Sequence, residues 1–325
     1  SSVGALFTGR SVGATGTGSN QTYGVDGILA LSDTFAVNAY WARTDTTSVS
    51  GQNQSYRGQL DYNSDRYGVQ LERLSIDDNF NPEIGFVRRD DMRKNFGEFR
   101  FSPRPRNIKG VRKVFFTTSL NRVNNSKGRL ETRTWDGEFT VDFQNSDRFI
   151  LGRNASYEYL PRPFTIATGV TLPVGGYDYG ETRVGYNFGR QRKLSGNVIV
   201  TRGSFYNGDK TALTLSQGRA NVTGQFSIEP TYSLNKVDLE QGSFTNHLVG
   251  TRVNFTMTPL MFTSALIQYN SATKVVSANV RLRWEYQPGS EFFIVFNEQR
   301  DGFASGFPTM TNRALIVKIN RLFRP

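Results

Sequence analysis

The chain has 325 residues, 37% hydrophobic and 13% aromatic, with 32 Gly, 11 Pro and no Cys. Without Cys there is no disulfide scaffold, thiolate zinc site, iron–sulfur ligation or cysteine nucleophile, and the single histidine, His247, leaves little for imidazole chemistry; most enzyme classes and resident cofactors are disfavoured. Lys and Arg number 39 against 28 Asp and Glu, a formal charge of +11 that points to anionic surfaces or nucleic acid without choosing between them.

Period-two alternation runs through almost the whole chain. In chain order, the Gly-rich stretch Gly13 to Gly18 reads as an outer loop between two strands, Ser32-Asp33-Thr34 as a tight turn, and residues 46–54 as a longer loop. Asn63-Ser64-Asp65 is again a turn, residues 77–93 a loop, and Arg104, Arg106, Lys109, Arg112 and Lys113 gather round the next short connection. In Thr132 to Phe143, Trp135, Phe139, Val141 and Phe143 alternate with Thr134, Asp136, Glu138, Thr140 and Asp142. Asn145-Ser146-Asp147 turns the chain, residues 161–176 form a loop, and Arg190, Arg192 and Lys193 form a second basic cluster. Phe226, Ile228, Pro230, Tyr232 and Leu234 then oppose Ser227, Glu229, Thr231, Ser233 and Asn235. After Thr258-Pro259-Leu260, the segment Lys274 to Gln287 sets Val276, Ala278, Val280, Leu282, Trp284 and Tyr286 against Ser277, Asn279, Arg281, Arg283, Glu285 and Gln287. Gln287-Pro288-Gly289-Ser290 and a loop at 300–311 lead to a last strand in which Leu315, Val317, Ile319 and Phe323 are expected on one face.

About 18 such strands, many near the 9 to 11 residues that cross a bilayer, predict an all-β fold. The architecture expected is a closed antiparallel up-and-down transmembrane β-barrel, one domain over residues 1–325, in a bacterial outer membrane with its lipids as partners. Short turns alternating with longer loops suit that class. No apolar run is long enough for a membrane helix, and Ser1 opens without a leader pattern, so a mature or truncated chain is expected. A soluble sandwich or propeller is the rival. It would not require Tyr23, Tyr56, Tyr62, Tyr67, Tyr157, Tyr159, Tyr177, Tyr186, Trp284 and Tyr286 to gather near strand ends as an interfacial girdle does.

Several phrases carry a resemblance: Phe80-Asn81-Pro82-Glu83-Ile84-Gly85-Phe86-Val87-Arg88-Arg89, Gln268-Tyr269-Asn270, Arg283-Trp284-Glu285-Tyr286-Gln287-Pro288-Gly289-Ser290 and Leu322-Phe323-Arg324. Together they resemble an outer-membrane β-barrel domain family of unknown function that usually follows an N-terminal β-sandwich similar to carbohydrate-binding modules. The resemblance implies the barrel fold and brings no catalytic residues. The sandwich is not in this sequence, so a glycan-binding role for it has no place here.

The candidate functional residues are a polar lumen wall: Arg57, Asp61, Glu98, Arg100, Asp136, Glu138, Asp142, Glu181, Arg183, Glu229, Arg252, Arg281, Arg283 and Glu285. Asp136 and Glu138 have the separation of a glycosidase carboxylate pair, but any alternating strand produces that spacing, so a salt-bridged hydrated wall is the preferred reading. His247, with Asn246 and Ser243 nearby, shares parity with Val249, Val253 and Phe255; an interfacial histidine is preferred over a hydrolase base. Asp77, Asn79, Asn81 and Glu83 faintly follow a calcium loop, but Pro82 stands where its glycine belongs, and turn chemistry is preferred. No metal or other cofactor is expected. Phe164, Ile166, Val170, Leu172 and Val174 make the 161–176 loop apolar enough to be packed, as a gate or as a docking patch for a partner protein or missing N-terminal domain. Basic rims suit anionic headgroups, and nucleic acid is not expected because the aromatics lie opposite the cations. The leading expectation is a channel or transporter for small solutes or glycans; a structural barrel anchoring a partner is the alternative, and a membrane-embedded hydrolase stands third.

Overall fold

The computed structural model describes residues 1–11, 18–302 and 308–323, and every described element is a strand. Most of the Gly13 to Gly18 loop and part of the 300–311 loop lie outside the described residues. The first half contains β1 (Ser2–Arg10), β2 (Asn20–Ser32), β3 (Phe35–Thr46), β4 (Gln54–Asn63), β5 (Tyr67–Ile76), β6 (Met92–Phe101), β7 (Val111–Asn124), β8 (Leu130–Phe143) and β9 (Arg148–Leu160). After the short β10 (Phe164–Ala167) and β11 (Val170–Leu172) come β12 (Gly175–Phe188), β13 (Leu194–Phe205), β14 (Gly208–Asn221) and β15 (Phe226–Leu239). The last strands are β16 (Gly242–Thr258), β17 (Met261–Asn270), β18 (Val275–Gln287), β19 (Ser290–Asp301) and β20 (Thr309–Ile319).

Eighteen of these belong to one antiparallel sheet in up-and-down order, and β10 with β11 forms a separate hairpin. The expected 161–176 loop is thus partly strand, which brings the total to 20 rather than 18. Strands of four and three residues are too short for a periodic signal.

The chain divides into two compact units, residues 1–140 with 152–180, and residues 141–151 with 181–325. In the first, β1 to β7 pair in sequence without a register break between β3 and β7. The register sets Val25 beside Trp41, Trp41 beside Tyr56, Leu60 beside Leu71, and Val69 beside Phe99 on one face. The other face sets Asp26 beside Tyr40, Tyr40 beside Arg57, Gln59 beside Glu72, and Gln70 beside Glu98. In the second unit the strands from Glu181 of β12 to β20 pair in sequence, with register shifts in the β13–β14, β14–β15, β16–β17, β18–β19 and β19–β20 pairs; Tyr232, Val249, Tyr269 and Val276 run across one face, and Glu229, Arg252, Leu266 and Asn279 across the other.

The expected contrast of short and long ends holds in the first unit, where turns at 33–34 and 64–66 oppose loops at 47–53 and 77–91. It fails in the second, where β13–β14 and β15–β16 are joined by the two-residue turns Tyr206-Asn207 and Glu240-Gln241. The terminal strand also differs from expectation: β20 ends at Ile319, and Phe323 lies beyond it beneath the Arg321 guanidinium, 5.1 Å from the ring centre.

Little of either unit is a core. Among the described residues only Phe80, Val123, Leu160, Val170, Leu172, Ala212, Val237 and Leu239 are buried apolar side chains.

Candidate functional site

The polar face is built from alternate residues of each strand, so its chemistry follows from parity. In the first unit Glu72 sits at its centre. Arg57 donates to Oε2 through Nε at 2.8 Å and Nη2 at 2.6 Å, and Lys94 donates to Oε1 at 2.6 Å. Gln59 donates to Asp61 at 2.6 Å, while Glu98 lies opposite Gln70 and Ser119. Arg100 stands at the edge of the face and clamps the 64–66 turn, donating to Asn63 Oδ1 at 2.8 Å and to the Ser64 carbonyl at 2.7 Å. On β8, Glu138 accepts from Thr140 at 3.1 Å, Asp136 shares its parity, and Asp142 accepts from Arg148. In the second unit Glu181 pairs with Lys210 at 2.7 Å and Arg183 lies opposite Thr201. Arg281 lies between Ser264 and Val295, Arg283 bonds Glu291 at 2.7 Å, and Glu285 accepts from the Gly289 amide at 3.0 Å.

A cavity of about 600 Å³ opens on the polar face of the second unit. Its wall includes Arg190, Arg219, Arg252, Glu229, Gln217 and Gln268. Glu229 and Arg252 are register partners, and neither forms an ion pair with another described residue. A break in strand pairing brings Arg219 there. On the β13 side, Gly196 alone opposes Gln217 and Gly218; on the β15 side, residues 216–219 oppose only 229–231. Strand β14 therefore carries one extra residue relative to both neighbours, a bulge with Gln217 at φ 50°. The bulge reverses parity. Leu213 and Leu215 lie with Leu234 and Tyr232 on the apolar face, yet Arg219, of the same odd numbering, pairs with Ser195 on the polar face. The causes are local: Pro230 offers no N–H to the ladder, and a Cβ on Gly218 would lie 2.4 Å from the Pro230 carbonyl. Arg190, Arg219 and Gln217 are the cavity-lining residues that simple alternation misses; the Gly196, Gly218 and Pro230 triplet was the available signal.

Loop 77–91 folds back over the end of the polar face in the first unit. Its Asn81 amide donates to Thr44 Oγ1 at 3.1 Å, its Asn81 carbonyl accepts from the buried Asn20 at 2.8 Å, and Phe80 is buried. The four calcium-loop candidates are engaged separately. Asp77 accepts from Arg93 at 2.8 Å and from the Gln54 amide at 3.0 Å, Asn79 donates to the Gly51 carbonyl at 3.0 Å, Asn81 bonds Thr44 and Asn20, and Glu83 pairs with Arg10. In the 161–176 segment, Val170 and Leu172 are buried and Ile166 is partly so, whereas Phe164 and Val174 are about half exposed.

Two of the basic clusters serve the turns. Asp65 takes two bonds from Arg104, at 3.0 and 2.9 Å, and one from Lys113 at 2.8 Å; the Arg104 bonds, then Lys113, hold its carboxyl well below the usual range. Asp147 is only 2% exposed and accepts from Arg192 at 2.6 and 3.1 Å, the Gly189 amide at 2.8 Å, Tyr186 at 2.9 Å and Asn145 at 3.0 Å. The Arg192 bonds and then the Gly189 amide lower its pKa to about 2.

His247 lies on the apolar face, its Nδ1 3.0 Å from the Tyr232 hydroxyl and its backbone amide 2.7 Å from Ser271 Oγ. The ring's bonded partner is therefore a tyrosine, not the serine a hydrolase would need.

What the fold and this site define is an all-β, up-and-down antiparallel sheet with one charged, polar face and one exposed apolar face. No protein family and no curated protein matches the sequence. Among solved structures the chain is similar to a mutant ferric enterobactin receptor from Pseudomonas aeruginosa, with 7% identity and a TM-score of 0.42 over 97% of this chain and 71% of that one.

Proposed function

We propose that the chain is a closed outer-membrane β-barrel whose polar face lines an aqueous path for small hydrophilic solutes. The observation that carries this reading is the exposed apolar face. Val3, Phe7, Leu71, Phe99, Phe116 and Leu120 share it and are 46% to 84% exposed. Withholding such side chains from an apolar environment forgoes about 1.5 to 3 kcal/mol each, and a bilayer supplies that environment along the whole sheet. Tyr56, Tyr62, Tyr67, Trp41 and Trp135, each between about a third and a half exposed, supply interfacial aromatics. A barrel of 18 strands is wide enough for water, and the ion pairs around Glu72 and Glu181 suit a hydrated wall. Loop 77–91, bonded over the polar face, is the constriction in this reading.

The anchoring alternative is supported by one observation: Ile84 and Phe86 project from the same loop, Phe86 at 87% exposure, as a docking element for a partner would. The test is conductance of the purified, detergent-folded chain in planar bilayers, preceded by electrophoresis of unheated samples. A compact unheated band with stepwise conductance supports the channel. A compact band without conductance, before and after deletion of 79–89, supports the anchor.

A further inference from the structure

We propose that the cavity around Arg252 is a binding site for a small, hydroxyl-bearing anion, a sugar carrying a carboxylate or a phosphate group. Three guanidinium groups, from Arg190, Arg219 and Arg252, meet there against one carboxylate, Glu229, so the wall favours negative charge. All three Arg residues are open to solvent, and no described carboxylate pairs with any of them. Planar guanidinium forks bind carboxylate and phosphate bidentately. Several other cations of the polar face are neutralised locally: Arg57 and Lys94 by Glu72, Lys210 by Glu181, Arg283 by Glu291. The remaining wall is made of amides and hydroxyls, with Leu266 as its apolar member, so the ligand is hydrophilic and is held by hydrogen bonds rather than by stacking. Gln217, Gln268 and Glu229 would take its hydroxyls, and about 600 Å³ suits a mono- or disaccharide.

The bulge is the second, independent sign of a built site. Straight pairing of β14 would turn Arg219 to the apolar face; the extra residue at Gln217-Gly218 spends ladder hydrogen bonds to turn it into the cavity. Bulges that re-aim a side chain concentrate next to functional sites.

This site deepens the solute-path reading by naming the solute, but it is tested without conductance, so either can fail alone. Titration calorimetry of the detergent-folded full chain would use glucuronate, glucose 6-phosphate and glucose. Binding of one or both anions, weakening with salt, and none by glucose at millimolar concentration, supports the site; the anion bound tells carboxylate from phosphate. Arg252→Gln should weaken binding about tenfold or more. If that variant does not show the compact unheated band, Arg190→Gln, at an exposed position of the 189–193 turn, takes its place, with a smaller loss expected. Absence of anion binding, equal binding of glucose, or an affinity untouched by the folded variants overturns the proposal.

Discussion

Leu71 and its neighbour Gln70 provide the sharpest test of which side of the sheet meets lipid. Strand β5 has 10 residues, which at about 3.4 Å each and a tilt near 40° rise about 26 Å, the height of the apolar band of an outer-membrane barrel. Leu71 is fifth of the ten, hence near the midplane, 53% exposed, with Leu60 and Gly97 as register partners. Gln70 points the other way, between Asp61 and Glu98. An Arg at a lipid-facing midplane position costs about 2 to 4 kcal/mol. The same substitution at a half-exposed Leu on a water-facing sheet stays within about 0.5 kcal/mol. Leu71→Arg should therefore destabilise the chain by about 2 to 4 kcal/mol in urea unfolding from phospholipid vesicles. Gln70→Arg, placed between two carboxylates, should be neutral or mildly stabilising. Equal and negligible effects of the two changes would refute the lipid-facing assignment, and a cost confined to Gln70→Arg would place the register one residue off.

Cysteine scanning is clean in a chain with no Cys: in liposomes, water-soluble maleimide should modify position 281 and spare position 280, and the reverse labelling would contradict the face assignment. Asp147→Asn should cost about 1.5 to 3 kcal/mol at neutral pH, read by urea unfolding, because charge-assisted bonds to Arg192 and the Gly189 amide are lost. The folded carboxyl has a pKa lowered to about 2, so its contribution is complete above the unfolded value near 4 and disappears as pH falls from about 4 through about 2; the wild-type advantage over Asp147→Asn should shrink across that window. Deleting 79–89 should raise single-channel conductance while the compact unheated band persists. Glu72→Gln should shift ion selectivity toward anions, measured as reversal potential in a salt gradient, since Arg57 and Lys94 lose their shared carboxylate.

Alternation made the strands and their faces legible. Thr132 to Phe143, Phe226 to Asn235 and Lys274 to Gln287 correspond to β8, the first ten residues of β15, and β18, because each alternates without interruption over ten residues or more. The polar turn Asn145-Ser146-Asp147 was equally plain, although the sequence gives no hint that Arg192, 45 residues on, closes over it. Parity reasoning fails where pairing shifts. Arg219 reads as apolar-face by counting from Leu213 and Leu215, and only the cross-strand register reveals the extra residue. Loop 77–91 was legible as a loop, but its return to Asn20 and Thr44 depends on contacts 61 and 37 residues apart in sequence, beyond any local pattern.

The cations that fasten the connections and those that line the cavity differ in their physics. Arg104, Lys113 and Arg192 lie in or beside connections and are held by Asp65 and Asp147, so they fasten turns and leave little field for a ligand. Arg190 lies two residues from Arg192 in the same connection, yet it lines the cavity instead, beside Arg219 and Arg252. The difference comes from geometry: Asp147 already accepts from Arg192, Gly189, Tyr186 and Asn145, which occupies the lone pairs of its two oxygens and leaves no acceptor for Arg190. A rim that satisfied every cation would be a sturdier structure and a poorer binding surface. The saturation of Asp147, together with the bulge that turns Arg219 across the sheet, gathers three guanidinium groups, none paired with a described carboxylate, around one cavity, and in our proposal that cavity is where a passing anion is retained.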